Sequence, residues 1–175
     1  MHALLVTQSD SFAGAWQLDP EPTTVSFETT FLWLVKVKGA FGNVRGHGVM
    51  YPEGRVTGSV AVEMASVDTK ITKRDDHLRS ADFFDVDRFP TMDFTVTDGR
   101  ITHDGRVFIH GELRIHGNSR PIDLVADVTE VGTSIVLSSN FEIDRSDWGV
   151  GLTKGPGKSR SLKTRVQISL RFCRA

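Results

Sequence analysis

DTKITKRDDHLRSADFFDVDRFP, residues 68–90, is a charge-dense stretch in a chain that otherwise reads as strands. Thr72, with Asp75 three residues on, has the spacing of a capping box and predicts a short helix near residues 70–80. Leu78 and Phe83–Phe84 supply its apolar contacts. Phe89–Pro90 ends the excursion, because the residue before a proline is pushed toward extended backbone. A single helix in an all-β chain plugs or covers something, so function turns on what lies beneath it.

Outward from this insert, alternation with a period of two recurs. Val56, Gly58, Val60, Val62 and Met64 alternate with Thr57, Ser59, Ala61 and Glu63. Met92, Phe94 and Val96 alternate with Asp93, Thr95 and Thr97. The same pattern runs through Val107–Ile115, Ile122–Val128, Ile135–Ile143 and Val166–Phe172. Turn signals separate the runs at Pro52–Gly54, Asp98–Gly99, Asp104–Gly105, Gly117–Asn118 and Val131–Gly132. Short connections make neighbouring strands antiparallel. About eight strands, each with one wet and one dry face, predict an up-and-down antiparallel barrel.

At roughly eight strands the interior of a barrel is either filled by side chains or holds one small ligand. Inward positions include the small residues Gly58, Gly111, Ala126 and Ser139, which leave room. One segment breaks the alternation: Phe31, Leu32, Trp33, Leu34 and Val35 are continuously apolar. They read as a buried turn at a barrel end, or as a mouth that receives an apolar ligand.

A length of 175 residues suits one domain. The expected division is an N-terminal extension over 1–14, flexible, and one barrel domain over 15–175. No apolar run approaches the roughly 20 residues of a membrane-spanning helix. The start, MHALLVTQSDSF, carries neither a basic leader nor a long apolar stretch, which leads us to expect a cytoplasmic protein. The lone cysteine, Cys173, excludes an internal disulfide and reads as a small buried residue of the last strand. Charge is uneven along the chain. Every acidic residue lies at or before Asp147, and Lys154, Lys158, Arg160, Lys163, Arg165, Arg171 and Arg174 follow with no acid among them.

Familiar catalytic patterns are absent. There is no G-x-S-x-G elbow, no H-E-x-x-H and no Cys-x-x-Cys. His110, Glu112 and His116 share strand parity, but His110 and His116 would lie roughly 20 Å apart at about 3.3 Å per residue. They read as solvated residues of an outer face. GLTKGPGKS, residues 151–159, resembles a phosphate loop only superficially: Leu152 stands where the first glycine is needed, and a strand follows instead of a helix. What survives is an anion site, with glycine-freed amides beside Lys154, Lys158 and Arg160. In the insert, Arg74, Asp75, Asp76, His77 and Arg79 read as architecture or as head-group and acid/base residues. Nucleic-acid binding is not expected, since no aromatics interleave with the basic residues on one face.

Several of these stretches, taken in order, resemble the YceI-like family of lipocalin-like polyisoprenoid-binding proteins. They are RDDHLRSADFFD with the following Phe89–Pro90, then HGELRIHGNSRPIDL (110–124), then IDRSDWGVG (143–151). Trp16, Leu18, Asp19, Pro20, Val25, Phe27, Val37, Gly39 and Phe41 precede them. The resemblance runs from about residue 15 to the C-terminus. It departs after Phe27, where ETTFLWLVKV is apolar although many members carry a basic residue and a histidine.

What the resemblance implies is an all-β, lipocalin-like barrel that binds a long apolar ligand, a polyisoprenoid, isoprenoid quinone or related lipid, for transport, storage or sensing. No cofactor is expected beyond that lipid. The lining expected from strand parity is Phe27, Val60, Val62, Met64, Phe94, Leu113, Phe141 and Ile168, with Phe31 and Trp33 at the mouth. Arg74, His77, Lys154, Lys158 and Arg160 are the head-group candidates. The expected partners are that hydrophobic small molecule and a second copy of the chain. An enzyme is the alternative, a cyclase or isomerase of a lipophilic substrate with His77 and Asp75 or Asp76 moving protons. A filled barrel with a protein partner at Phe31–Val35 is the third reading.

Overall fold

The computed structural model describes residues 12–31, 35–102, 104–151 and 162–175, the Phe31 side chain excepted. Among the described residues the strands and the insert helix follow one another as β1 (Gly14–Phe31), β2 (Val35–Phe41), β3 (Val44–Met50), β4 (Val56–Glu63), β5 (Val67–Asp68), α1 (Thr72–Arg79), β6 (Thr91–Ile101), β7 (Arg106–Ile115), β8 (Asn118–Val131), β9 (Ser134–Asp144) and β10 (Lys163–Arg174). Sheet order is β10-β9-β8-β7-β6-β4-β3-β1-β2-β5, and β10 pairs back to β1, so the sheet closes on itself.

The ring has eight staves because β2 and β3 act as one long strand against β1. Phe31 pairs with Val35 and Val25 with Phe41, then Gln17 with His47 and Gly14 with Met50. The ladder breaks at Gly42–Asn43, opposite a bend in β1 between Asp19 and Thr24 that also shifts its register on β10. Closure pairs the first strand with the last, and the bend lets a long strand serve two stretches of wall. Dry faces point inward as the alternation predicts. Val62, Leu113, Ile115, Leu124, Ala126, Ile135, Leu170 and Phe172 are all buried in the core. At the N-terminal end of β1 the indole N–H of Trp16 donates to the Phe12 carbonyl at 2.9 Å, and Phe12 packs on the core.

Three local expectations need correction. Asp98–Gly99 is no turn: β6 runs on to Ile101, and the pair sits at a bulge where Val96 meets Gly111 and Asp98 meets His110. The turn comes at Asp104–Gly105, with the Gly105 N–H on the Thr102 carbonyl. The β7–β8 turn is centred on His116–Gly117, one residue earlier than expected, and both have positive φ (52° and 75°). His116 is therefore not a free outer-face residue: its ring lies 4.6 Å from the Phe89 ring. Thirdly, α1 has no capping box. Ile71 holds the N-cap position without a side-chain bond, and Asp75 turns back to accept the Thr69 N–H at 2.9 Å and the Thr69 hydroxyl. The capping carboxylate is the one foreseen, but its partner is the loop that the helix must be tied to.

One seam in the wall is short. β8 pairs with β9 only from Asp127–Ser138 to Val131–Ser134, although β9 pairs with β10 along its whole length from Ile135 to Asp144. Beyond the last rung, the Ser139 hydroxyl donates to the Val125 carbonyl at 2.6 Å in place of a ladder bond. Amide exchange is expected to alternate along residues 139–143. Amides facing β10 stay protected and those facing β8 exchange fast. Uniform protection along this stretch would show that the ladder closes fully in solution.

Candidate ligand site

The barrel interior holds an apolar cavity of about 140 Å³. Its wall is built in rungs by the strand registers. Phe27 stands beside Val166, and Val166 beside Phe141. Opposite, Val60 pairs with Phe94 and Phe94 with Leu113. Phe27, Val60, Val62, Met64, Phe94, Leu113, Phe141 and Ile168, the eight positions read from strand parity, all stand in this wall. A second apolar cavity of about 100 Å³ adjoins it toward Trp16, and the two share Val60, Phe94, Leu124, Ile168 and Leu170. The two cavities thus share part of their wall.

The small inward residues do not all leave empty room. A Cβ on Gly111 would stand 2.3 Å from Cζ of Phe94, so that glycine is the seat of the Phe94 ring. Gly111 makes room for the Phe94 ring, which lines both cavities. Ala126 and Ser139, by contrast, do border open space in the second chamber.

The insert covers the end of the first chamber. Leu78 of α1 is 1% exposed and lines the cavity with Phe83 and Phe84. Rings continue across the end, with Phe27–Phe41 at 5.6 Å, Phe41–Phe84 at 6.1 Å and Phe84–Phe83 at 4.8 Å. The charged residues fasten this cover. Arg74 donates from Nε to the Thr69 hydroxyl and from Nη2 to the Thr69 carbonyl, both at 2.8 Å. Arg79 donates to the Ala65 and Val67 carbonyls at 2.9 Å each. Arg74, a head-group candidate by sequence, is thus held on the loop that anchors the helix. His77 is exposed and is not in the cavity wall.

Leu32–Leu34 and the basic loop from Leu152 to Ser161 lie outside the described residues, so Trp33, Lys154, Lys158 and Arg160 have no described position. Val35, at the edge of that apolar segment, is 51% exposed. Cys173 is half-buried, its sulfur 3.3 Å from the Ser134 hydroxyl. His110 stays outside, paired with Asp123. No cluster of ligating side chains that could hold a metal occurs among the described residues. Among those residues, too, no helix is long and apolar enough to cross a membrane.

One charged wall residue among the described residues escaped the sequence reading of the site. Arg145 follows β9 in the turn Arg145–Trp148 and is 7% exposed, yet it lines the first chamber. Its guanidinium carbon lies 5.0 Å from the centroid of the Phe83 ring. Burial lowers the Arg145 pKa from its ordinary value, and the charge of Asp144 opposes that shift. Trp148 sets the turn by donating its indole N–H to the Leu113 carbonyl at 2.8 Å. Gly151 keeps the space open, since a Cβ there would stand 2.4 Å from Nη1 of Arg145 and 2.5 Å from the Phe83 ring. The available signal was the motif DRSDWGVG, but nothing in its periodicity points Arg145 inward.

A closed eight-stave antiparallel barrel with an apolar chamber under a helical cover is the architecture of lipocalin-like proteins. The family model of the YceI-like domain matches residues 16–172, and the chain belongs to that family. Among curated proteins it is 28% identical over 100 residues to a UPF0312 protein of Photorhabdus laumondii, covering 55% of this chain and 52% of that one. To a UPF0312 protein of Staphylococcus aureus it is 30% identical over 91 residues, covering 49% and 53%. The matches thus span about half the length of these relatives. Among solved structures, BcnA of Burkholderia cenocepacia superposes with a TM-score of 0.75 at 21% identity, over 89% of this chain and 98% of that one. A polyisoprenoid binding domain from Saccharophagus degradans gives 0.72 at 18%, over 91% and 98%. A Campylobacter jejuni YCEI protein gives 0.69 at 26%, over 81% and 87%.

Proposed function

We propose that this chain binds an apolar, chain-like ligand inside the barrel, an isoprenoid, isoprenoid quinone or related lipid, for transport, storage or sensing. The observation that carries the reading is the apolar chamber inside the barrel. An apolar void of this size stays dry and takes an apolar guest, because water there finds no hydrogen-bond partners. Each methylene moved from water into it contributes about 0.8 kcal/mol. Membership of the YceI-like family and the fold shared with a polyisoprenoid binding domain support the same reading.

The volumes bound the ligand. A cavity near 150 Å³ holds a benzene-sized guest. The first chamber, at about 140 Å³, therefore seats a short stretch of chain, and the smaller second chamber less. A longer chain must pass the shared residues Phe94 and Ile168, and Met92, one rung from Phe94 on β6, is an adaptable side chain that can give way. The exposure of His77, outside the cavity wall, favours binding over proton transfer by the insert. The test is titration with a fluorescent prenyl alcohol. Saturable binding of one molecule per chain is expected, and competition by farnesol. Binding that never saturates, or that farnesol leaves untouched, would overturn the reading.

A further inference from the structure

We infer that the ligand enters and leaves through the side of the barrel, between β8 and β9, while the helical cover stays shut. The inference rests on the apolar-ligand reading above and adds the route of exchange.

Ten residues of β9 pair with β10, but five pair with β8. The last rung of the short ladder joins Asp127 to Ser138. From there toward Asn118 on β8 and Asp144 on β9 the two strands share no rung, although β7 and β10 hold each from its other side. Both lips of this split carry chamber wall. Ile122 and Leu124 stand on β8, Phe141 and Ile143 on β9, and all four line the first chamber. Continued in step, the register would set Leu124 opposite Phe141 and Ile122 opposite Ile143. Apolar side chains therefore border the split where ladder bonds hold the neighbouring seams.

Each end of the split is clasped. At its head the Ser139 hydroxyl donates to the Val125 carbonyl at 2.6 Å. At its foot the Asn118 side-chain amide donates to the Trp148 carbonyl at 3.0 Å, which ties β8 to the turn after β9. A polar surface recess borders the head, with Val125, Asp127, Ser138, Ser139 and Asn140 in its wall, and it shares Ile168 with both chambers. Beside it Phe108 and Val125 pair across β7 and β8 with their side chains in water, 47% and 43% exposed. A chain arriving from solvent meets hydrocarbon there before it reaches the split.

Cost selects this route over the covered end. Lifting the cover breaks two hydrogen bonds from Arg74, two from Arg79 and those of Asp75 with Thr69, and it draws Leu78 and Phe83 out of the core. Lost burial and stranded polar groups both oppose that. Parting β8 from β9 beyond Asp127 breaks no ladder bond, and the head is held by the single bond of Ser139. Local opening favours the place with the fewest bonds to break.

The test staples the split. Asp123 and Glu142 are exposed, lie outside the chamber wall and would stand opposite each other in the continued register. Asp123→Cys/Glu142→Cys is made in a Cys173→Ser background and closed by oxidation, or by a short bis-maleimide if the thiols do not meet. Entry of a fluorescent prenyl alcohol and its exit on chase with farnesol are followed by stopped flow. Closing the staple should slow both by about tenfold or more, since the barrier rises and the bound state does not change. Affinity should then stay within about threefold, because the two rates fall together. Reduction of the disulfide restores wild-type rates. Ser139→Ala, which removes the clasp, should speed exchange, and Arg79→Ala, which loosens the cover, should leave the rates within about twofold of wild type. A closed staple that exchanges at the wild-type rate overturns the side route, and saturable binding in the same variant leaves the apolar-ligand reading standing. If neither staple forms, the two single variants decide: faster exchange in Ser139→Ala supports the split, and faster exchange in Arg79→Ala alone moves the route to the cover. If wild type does not bind the alcohol at all, the apolar-ligand reading falls and the route with it.

Discussion

Val62→Trp is expected to weaken binding of a prenyl alcohol by about a hundredfold while the barrel remains folded. Val62 is 4% exposed, and its side chain borders the first chamber between Val44 and Met92 on the neighbouring strands. An indole there occupies the space of the guest. Excluding about four methylenes, at about 0.8 kcal/mol each, removes roughly 3 kcal/mol of binding. Crowding costs the fold about 1–3 kcal/mol if the ring does not fit the void cleanly. Leu113→Trp, two strands along the same wall on β7, should behave alike. Both variants are read by fluorescence titration beside a thermal melt. Full affinity in both would mean that the chain lies outside the chamber, whatever the melts show.

The largest loss of stability is expected from Trp148→Ala, about 3–5 kcal/mol by urea denaturation. Trp148 is 2% exposed, and its indole bonds the Leu113 carbonyl, tying the turn after β9 to β7, two strands away. Alanine leaves a large cavity and an unsatisfied buried carbonyl together. Trp148→Phe separates the two terms, since it keeps most of the ring and loses the bond, for about 1–3 kcal/mol. Because the same turn carries Arg145, Trp148→Phe also loosens the placement of the guanidinium. A loss below about 1 kcal/mol for the alanine variant would show that the turn is held by other contacts.

Which side chains face inward was legible in the strands themselves. The pleat alternates sides at every residue, so a run such as Val60, Val62, Met64 places its dry face whatever its partners are. That is why all eight lining positions read from parity border the chamber. The helix within residues 68–90 was legible too, because its charge density and its flanking phenylalanines are local features. Where two local signals competed, the nearer one misled: Asp98–Gly99 and Asp104–Gly105 read alike, and only the pairing of Asp98 with His110 turns the first into a bulge.

By itself, then, the sequence determined an antiparallel barrel of about eight strands with a covered end and an apolar inward face, since these follow from period, turn chemistry and composition. Only the tertiary structure decided how the cover is fastened, what the glycines make room for, and where a charge enters the chamber. Asp75 could have capped its own helix, and it reaches Thr69 because the loop packs there. Gly111 accommodates Phe94 from the neighbouring strand. Arg145 lines the chamber because Trp148 anchors its turn to Leu113, 35 residues away, and Gly151 leaves it space. Each of these depends on groups far apart in the chain, brought together only when the barrel closes, and no local pattern carries them.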